Sequence, residues 1–129
     1  MQVDCIMFEC EDLIPCANQV FVIRDKKRNY GNYQQFYAQL LSKISYMDTS
    51  INFEDNEDFL PNSIRLEDGK KLIEEIYSYL KVDVRNSKYD FFFEEHISNC
   101  FQIFNESMRI FLFFVTEKKY ISIYWEARP

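Results

Sequence analysis

From Asn99 to Glu126 hydrophobic and polar residues alternate in three short runs separated by polar turns, the pattern of an antiparallel meander. Cys100 to Phe104 is the first run, and Asn105-Glu106-Ser107 turns into Met108 to Val115. Thr116-Glu117-Lys118-Lys119 then leads into Tyr120 to Glu126. In the middle run, Ile110 to Val115 is apolar at both parities, as in a strand covered on both faces. The last run puts Ile121, Ile123 and Trp125 on one face and Tyr120, Ser122, Tyr124 and Glu126 on the other. Tyr120 and Tyr124 thereby face away from Trp125, so some of the tyrosines are expected to be exposed as contact surface, the alternative being core-edge positions with their hydroxyls in water.

Upstream, Gln2 to Phe8 reads as a strand, although a short helix through Phe8 to Leu13 fits nearly as well. Pro15 interrupts that region, and the β-branched and aromatic run Gln19 to Arg24 makes a second strand. Arg24 to Arg28 is a mostly basic turn. Asn32 followed by Gln35 resembles a capping box, and Tyr33, Phe36, Tyr37, Leu40, Leu41, Ile44 and Met47 recur at helical spacing, which predicts a helix over Tyr33 to Tyr46. Its other face is polar and nearly uncharged. A second helix is expected from Asp68, as its cap, to about Lys81, with Leu72, Ile73, Ile76, Tyr77 and Leu80 as the buried stripe. Pro61-Asn62-Ser63 closes the loop between the two helices, and Phe91 to Glu95 fits either a strand or a helical turn. The economical architecture is a single α+β domain over residues 1–129, a mostly antiparallel sheet with both helices packed on one side.

Composition narrows the class. With 129 residues, 47% of them hydrophobic, the chain is long enough for one real core. No apolar run is long enough to span a bilayer, and Met1 is followed by no basic segment or cleavage-site pattern, so a cytosolic address is expected. Cysteines at 5, 10, 16 and 100 form no CxxC pair, and with His96 as the only histidine they lack zinc-ligand spacing. They are expected to be reduced thiols, mostly small buried hydrophobes.

Charge is distributed unevenly. Residues 1–47 hold five acids and five bases, residues 48–106 fourteen and six, and residues 107–129 two and four. The whole deficit behind the net charge of −6 therefore lies in the middle of the chain. Such a surface repels phosphate backbones and steers basic partners toward it, which argues against direct nucleic-acid binding. The densest acids, Glu54, Asp55, Glu57 and Asp58, lie between Phe53 and Phe59, with Asp48 before them and Glu67 and Asp68 after. Asp48 to Phe59 lacks the alternating ligands, central glycine and terminal glutamate of a calcium loop, so a solvated loop or a protein-binding surface remains.

Catalytic chemistry finds little support. His96 and Cys100 share a face only if their segment is helical, whereas a strand separates them. Adjacent pairs such as Glu74-Glu75 and Glu94-Glu95 do not face one another on a helix or a strand. No phosphate-binding loop, dinucleotide glycine pattern, GxSxG or HExxH occurs, so neither an enzyme nor a cofactor or metal site is expected.

In size, acid bias and aromatic-rich strands such as Ile110 to Val115, the chain resembles the immunity proteins of bacterial contact-dependent inhibition and related polymorphic-toxin systems. The resemblance is one of type. It implies binding to a cognate toxin domain, commonly a basic nuclease, and neutralisation by occluding its active site or substrate surface. Asp48, Phe53, Glu54, Asp55, Glu57, Asp58, Phe59, Glu67 and Asp68 are the candidate contact residues, acids steering and aromatics anchoring. The other reading is a viral or phage accessory protein that mimics nucleic acid or binds a host regulator; mimicry needs carboxylates spaced along one elongated face.

Overall fold

The computed structural model describes residues 1–9, 17–48, 60–79, 96–106 and 108–128. Among these, β1 (Gln2–Glu9), β2 (Ala17–Lys26), β3 (Asn62–Ile64), β4 (Ile97–Glu106), β5 (Arg109–Thr116) and β6 (Lys119–Arg128) form one antiparallel sheet in the order β1-β2-β6-β5-β4-β3. Two helices, α1 (Tyr33–Met47) and α2 (Leu66–Tyr79), complete an α+β fold. The expected meander is present as β4-β5-β6. β2 then pairs with β6 along its whole length, from Ala17 opposite Arg128 to Lys26 opposite Lys119. That long-range pairing places β1 on one edge, and the short β3 closes the other, where the sequence reads only as the end of a loop.

The helices occupy opposite faces of the sheet, not one side as expected. On β5, Phe111, Phe113 and Val115 pack with α1 residues Phe36, Tyr37, Leu40 and Ile44. Alternating with them, Ile110, Leu112 and Phe114 pack with α2 residues Ile73, Ile76 and Tyr77. Because successive side chains of a strand point to opposite faces, these two sets define two cores divided by the sheet. The physical reason is already in β5: a strand apolar at both parities needs a cover on each side. A single-sided arrangement would leave three large side chains in water, at about 1.5–3 kcal/mol each.

The same cover buries the polar-looking face of β6. Tyr120 is 5% exposed and Tyr124 fully buried, so the exposed tyrosines are not the two whose strand position suggested them. Two of the polar side chains on that face have local partners. Tyr124 donates its hydroxyl to Glu126 at 2.9 Å, and Ser122 donates to the Ile23 carbonyl at 3.2 Å. Phe36 stacks on Tyr120 with ring centroids 4.8 Å apart. The face is thus an aromatic layer in which the Ser122 and Tyr124 hydroxyls are hydrogen-bonded, which offsets their desolvation.

Helix α1 starts where the sequence places it. The Asn32 side chain accepts from Gln35 N–H at 3.0 Å, while the Gln35 side chain reaches back to Gly31 N–H at 2.7 Å. Helix α2 begins two residues before the expected cap, at Leu66, so Glu67 and Asp68 lie inside the first turn, where they favour the helix dipole. The helix reaches the sheet through Gly69, where an added Cβ would overlap the Cys100 sulfur and come within 3.2 Å of the Phe114 ring. Replacing Gly69 by alanine is therefore expected to destabilise the fold by about 1–3 kcal/mol despite alanine's better helix propensity. The double variant Gly69→Ala/Cys100→Ala should recover part of that loss. Chemical denaturation of the wild type and both variants checks this, and a stabilised Gly69→Ala protein would contradict the close seating.

Candidate interaction surfaces

The expected contact residues divide into three groups. Phe53, Glu54, Asp55, Glu57, Asp58 and Phe59 lie outside the described residues. Asp48 follows α1, caps its C-terminal end and accepts a hydrogen bond from the Gln19 side chain at 3.3 Å. Glu67 and Asp68 are exposed at the start of α2, with Glu67 bonded to Arg65 at 3.2 Å.

Register shows how far apart the second and third groups are. Gln19 opens the row Gln19–Glu126–Arg109–Glu106, whereas Gly69 sits over the row Arg24–Ile121–Phe114–Cys100. Five residues separate the rows, about 17 Å along the strands. Asp48 and the pair Glu67/Asp68 are also on opposite faces of the sheet, so these three acids do not converge.

Glu67 and Asp68 instead belong to the outward side of α2. Glu74 lies two turns beyond Glu67 and Glu75 two turns beyond Asp68, giving two carboxylate rows that flank Lys71; all five residues are exposed. Tyr79 closes the same helix. Its ring, 44% exposed, stacks on Trp125 at 4.8 Å between centroids and its hydroxyl donates to Glu75. Tyr79 and Tyr46, at 82%, are the strongly exposed tyrosines among the described residues. Both are on helices, whereas the tyrosines expected at the surface were strand residues.

The remaining sequence candidates separate as a strand requires. His96 is exposed just ahead of β4, and Cys100 is buried beneath Gly69 with its thiol pushed up to about 12 by desolvation. A thiol so protonated is no nucleophile near neutral pH. Glu74 and Glu75 diverge on the solvated side of α2. Among the described residues no group of three or more His, Cys, Asp or Glu is placed to hold a metal ion, and no helix is long and apolar enough to cross a membrane.

One feature escapes sequence reasoning altogether. The basic turn Lys26-Lys27-Arg28 and the β5–β6 turn Glu117-Lys118-Lys119, some ninety residues apart in the chain, line the same surface cavity. The signal was present as two separate basic turns, and only the β2–β6 register joins them.

No known protein family, curated protein or solved structure matches the chain.

The buried tyrosines of the α1 face set an upper pH limit. Desolvation pushes Tyr37 up to about 12 and raises Tyr120. It also raises Tyr30 and Tyr124, reinforced by hydrogen bonds to Asp25 and Glu126. A phenol whose pKa is higher folded than unfolded stabilises fully below about pH 10 and loses that contribution as pH rises through its folded value. Stability should therefore fall steeply above about pH 10, by up to about 1.4 kcal/mol per pH unit for each such tyrosine. Phenolate absorbance should appear together with loss of circular dichroism. Titration of all nine tyrosines near pH 10 with the fold intact would contradict the burial.

Proposed function

We propose that the protein is a non-catalytic, cytoplasmic binding protein that neutralises a cognate toxin domain, a basic nuclease, by covering its substrate surface. The observation that carries this reading is the outward side of α2. Two carboxylate rows, Glu67 with Glu74 and Asp68 with Glu75, end at the exposed ring of Tyr79. A helix fixed against the sheet at Gly69 and Trp125 presents those groups without further ordering, which lowers the entropic cost of docking. A nuclease must be cationic where it holds phosphates, and carboxylates compete for that surface and speed encounter. The aromatic ring beside them supplies the desolvated anchor that charge alone does not. Asp48 and the acids at 54, 55, 57 and 58 add to the long-range field by their charge.

Affinity capture of the tagged protein from cells of its source should retain a basic nuclease domain. With that partner, Glu67→Gln/Asp68→Asn/Glu74→Gln/Glu75→Gln should slow association by about tenfold or more at low salt, with the difference shrinking as salt is raised. The parallel variant neutralised at Glu54, Asp55, Glu57 and Asp58 measures the contribution of that segment. Recovery of no basic partner would overturn the proposal. Equal association rates for the wild type and the α2 variant would remove that helix from the interface.

A further inference from the structure

Among the described residues of this acidic protein, a surface cavity is bordered almost wholly by basic residues. Lys26, Lys27, Arg28, Lys118 and Lys119, with Glu117 as the single acid, line a surface hollow of about 450 Å³ where β2 leaves the sheet and β5 turns into β6. Hydrogen bonds hold the two turns together. Lys27 donates its backbone N–H to the Lys118 carbonyl at 2.8 Å and its ammonium to the Thr116 carbonyl at 3.1 Å. Thr116, buried at the end of β5, accepts from Lys119 N–H at 2.9 Å and fixes the second turn. The cations are gathered by the backbone itself.

That gathering is unfavourable in isolation. Lys26 and Lys119 are cross-strand partners at the last rung of the β2–β6 ladder, so the ladder itself brings Lys26 and Arg28 up to the turn that carries Lys118. Asp25, the carboxylate next to Lys26 in the chain, is turned toward other groups. It accepts from the Tyr30 hydroxyl at 2.6 Å and from the Asn29 side chain at 2.9 Å, and it faces the N-terminus at 3.7 Å. Among the described residues, Lys26, Arg28 and Lys118 form no ion pair. An anion seated between the two turns would relieve the repulsion.

We propose that this cavity binds a compact, multiply charged phosphate group, a di- or triphosphate, either free or as the tail of a nucleotide. The volume is that of a small-ligand site. Four of the five cations are lysines, point charges without the planar fork of arginine, so the site reads charge density rather than one phosphate geometry. The surrounding charge selects for compactness. The five cations reduce to a local excess of four over Glu117, whereas the chain as a whole is at −6. A long nucleic acid reaching beyond the cavity meets a protein of net negative charge, whereas a short polyphosphate stays within the hollow. This site is separate from the α2 surface and stands whether or not that surface binds a toxin.

Isothermal titration at low salt with tripolyphosphate, ATP and a single-stranded oligonucleotide tests the proposal. Its variant is Lys26→Gln/Arg28→Gln/Lys118→Gln, three exposed residues outside the bonds that hold the turns. Lys70→Gln/Lys71→Gln on α2 serves as the charge control. The wild type and the control should bind one tripolyphosphate per chain, and the triple variant at least tenfold more weakly. Comparable binding of ATP would identify a nucleotide tail as sufficient, and weaker binding of ATP would favour free polyphosphate. In thermal melts without ligand the triple variant should match or exceed the wild type, while tripolyphosphate should raise the melting temperature of the wild type alone. No binding by the wild type, equal affinity for the triple variant, or preference for the oligonucleotide over tripolyphosphate would each overturn it.

Discussion

The fold depends on one strand that cannot be left uncovered on either side. β5 offers Phe111, Phe113 and Val115 to one face and Ile110, Leu112 and Phe114 to the other, and all six are buried. Water on either side would cost several kcal/mol, a large fraction of the stability a domain of this size possesses. Two helices, one per face, meet that demand, and the lateral strands follow from it. β6 and β4 flank β5 as local hairpins, and β2 extends the sheet under α1 and α2 together, with Phe21 and Ile23 on one side and Val20 and Val22 on the other.

The two cores differ in character. The α2 side is mostly aliphatic, built from Val20, Val22, Ile73, Ile76, Leu112, Ile121 and Ile123, and it tolerates close approach because Gly69 removes a side chain over Cys100. The α1 side is aromatic, with the Phe36 ring against both Phe113 and Tyr120 and Tyr33 stacked on Phe101 at 4.6 Å. Two of the tyrosines there place their hydroxyls on carboxylates, Tyr30 on Asp25 and Tyr124 on Glu126. Part of the protein's acid content is thus committed to holding its own core rim, so total acidity overstates the charge offered to a partner.

Local features were legible in the sequence where the physics was local. The Asn32–Gln35 cap, the α1 stripe, the alternation of β6 and the turns of the meander all act within a few residues; the cap and stripe lie where the pattern placed them, and the strands run one or two residues further into each turn than it suggested. What the sequence obscured depends on contacts between distant segments. β6 reads as half-exposed because Tyr120, Ser122 and Tyr124 look polar, yet α1 covers them. The both-sided apolar pattern of Ile110 to Val115 already required two covers, and the single-sided placement of the helices conflicted with it. β3 is three residues long and forms only against β4, so no periodicity marks it. The same limit applies to charge: Asp48 and Glu67 are near in sequence and lie on opposite faces, whereas Lys26 and Lys119 are remote and become cross-strand neighbours.

Both surfaces proposed for binding inherit their geometry from this two-sided sheet: α2 is held rigid by one face, and the cationic turns are joined by the β2–β6 ladder. The most direct test is a set of side-chain nuclear Overhauser contacts. The account predicts that Phe36 and Leu40 of α1 contact Phe111, Phe113 and Tyr120, while Ile73 and Ile76 of α2 contact Leu112, Phe114 and Ile123, with no exchange between the sets. Contacts from both helices to the same parity of β5 would contradict it.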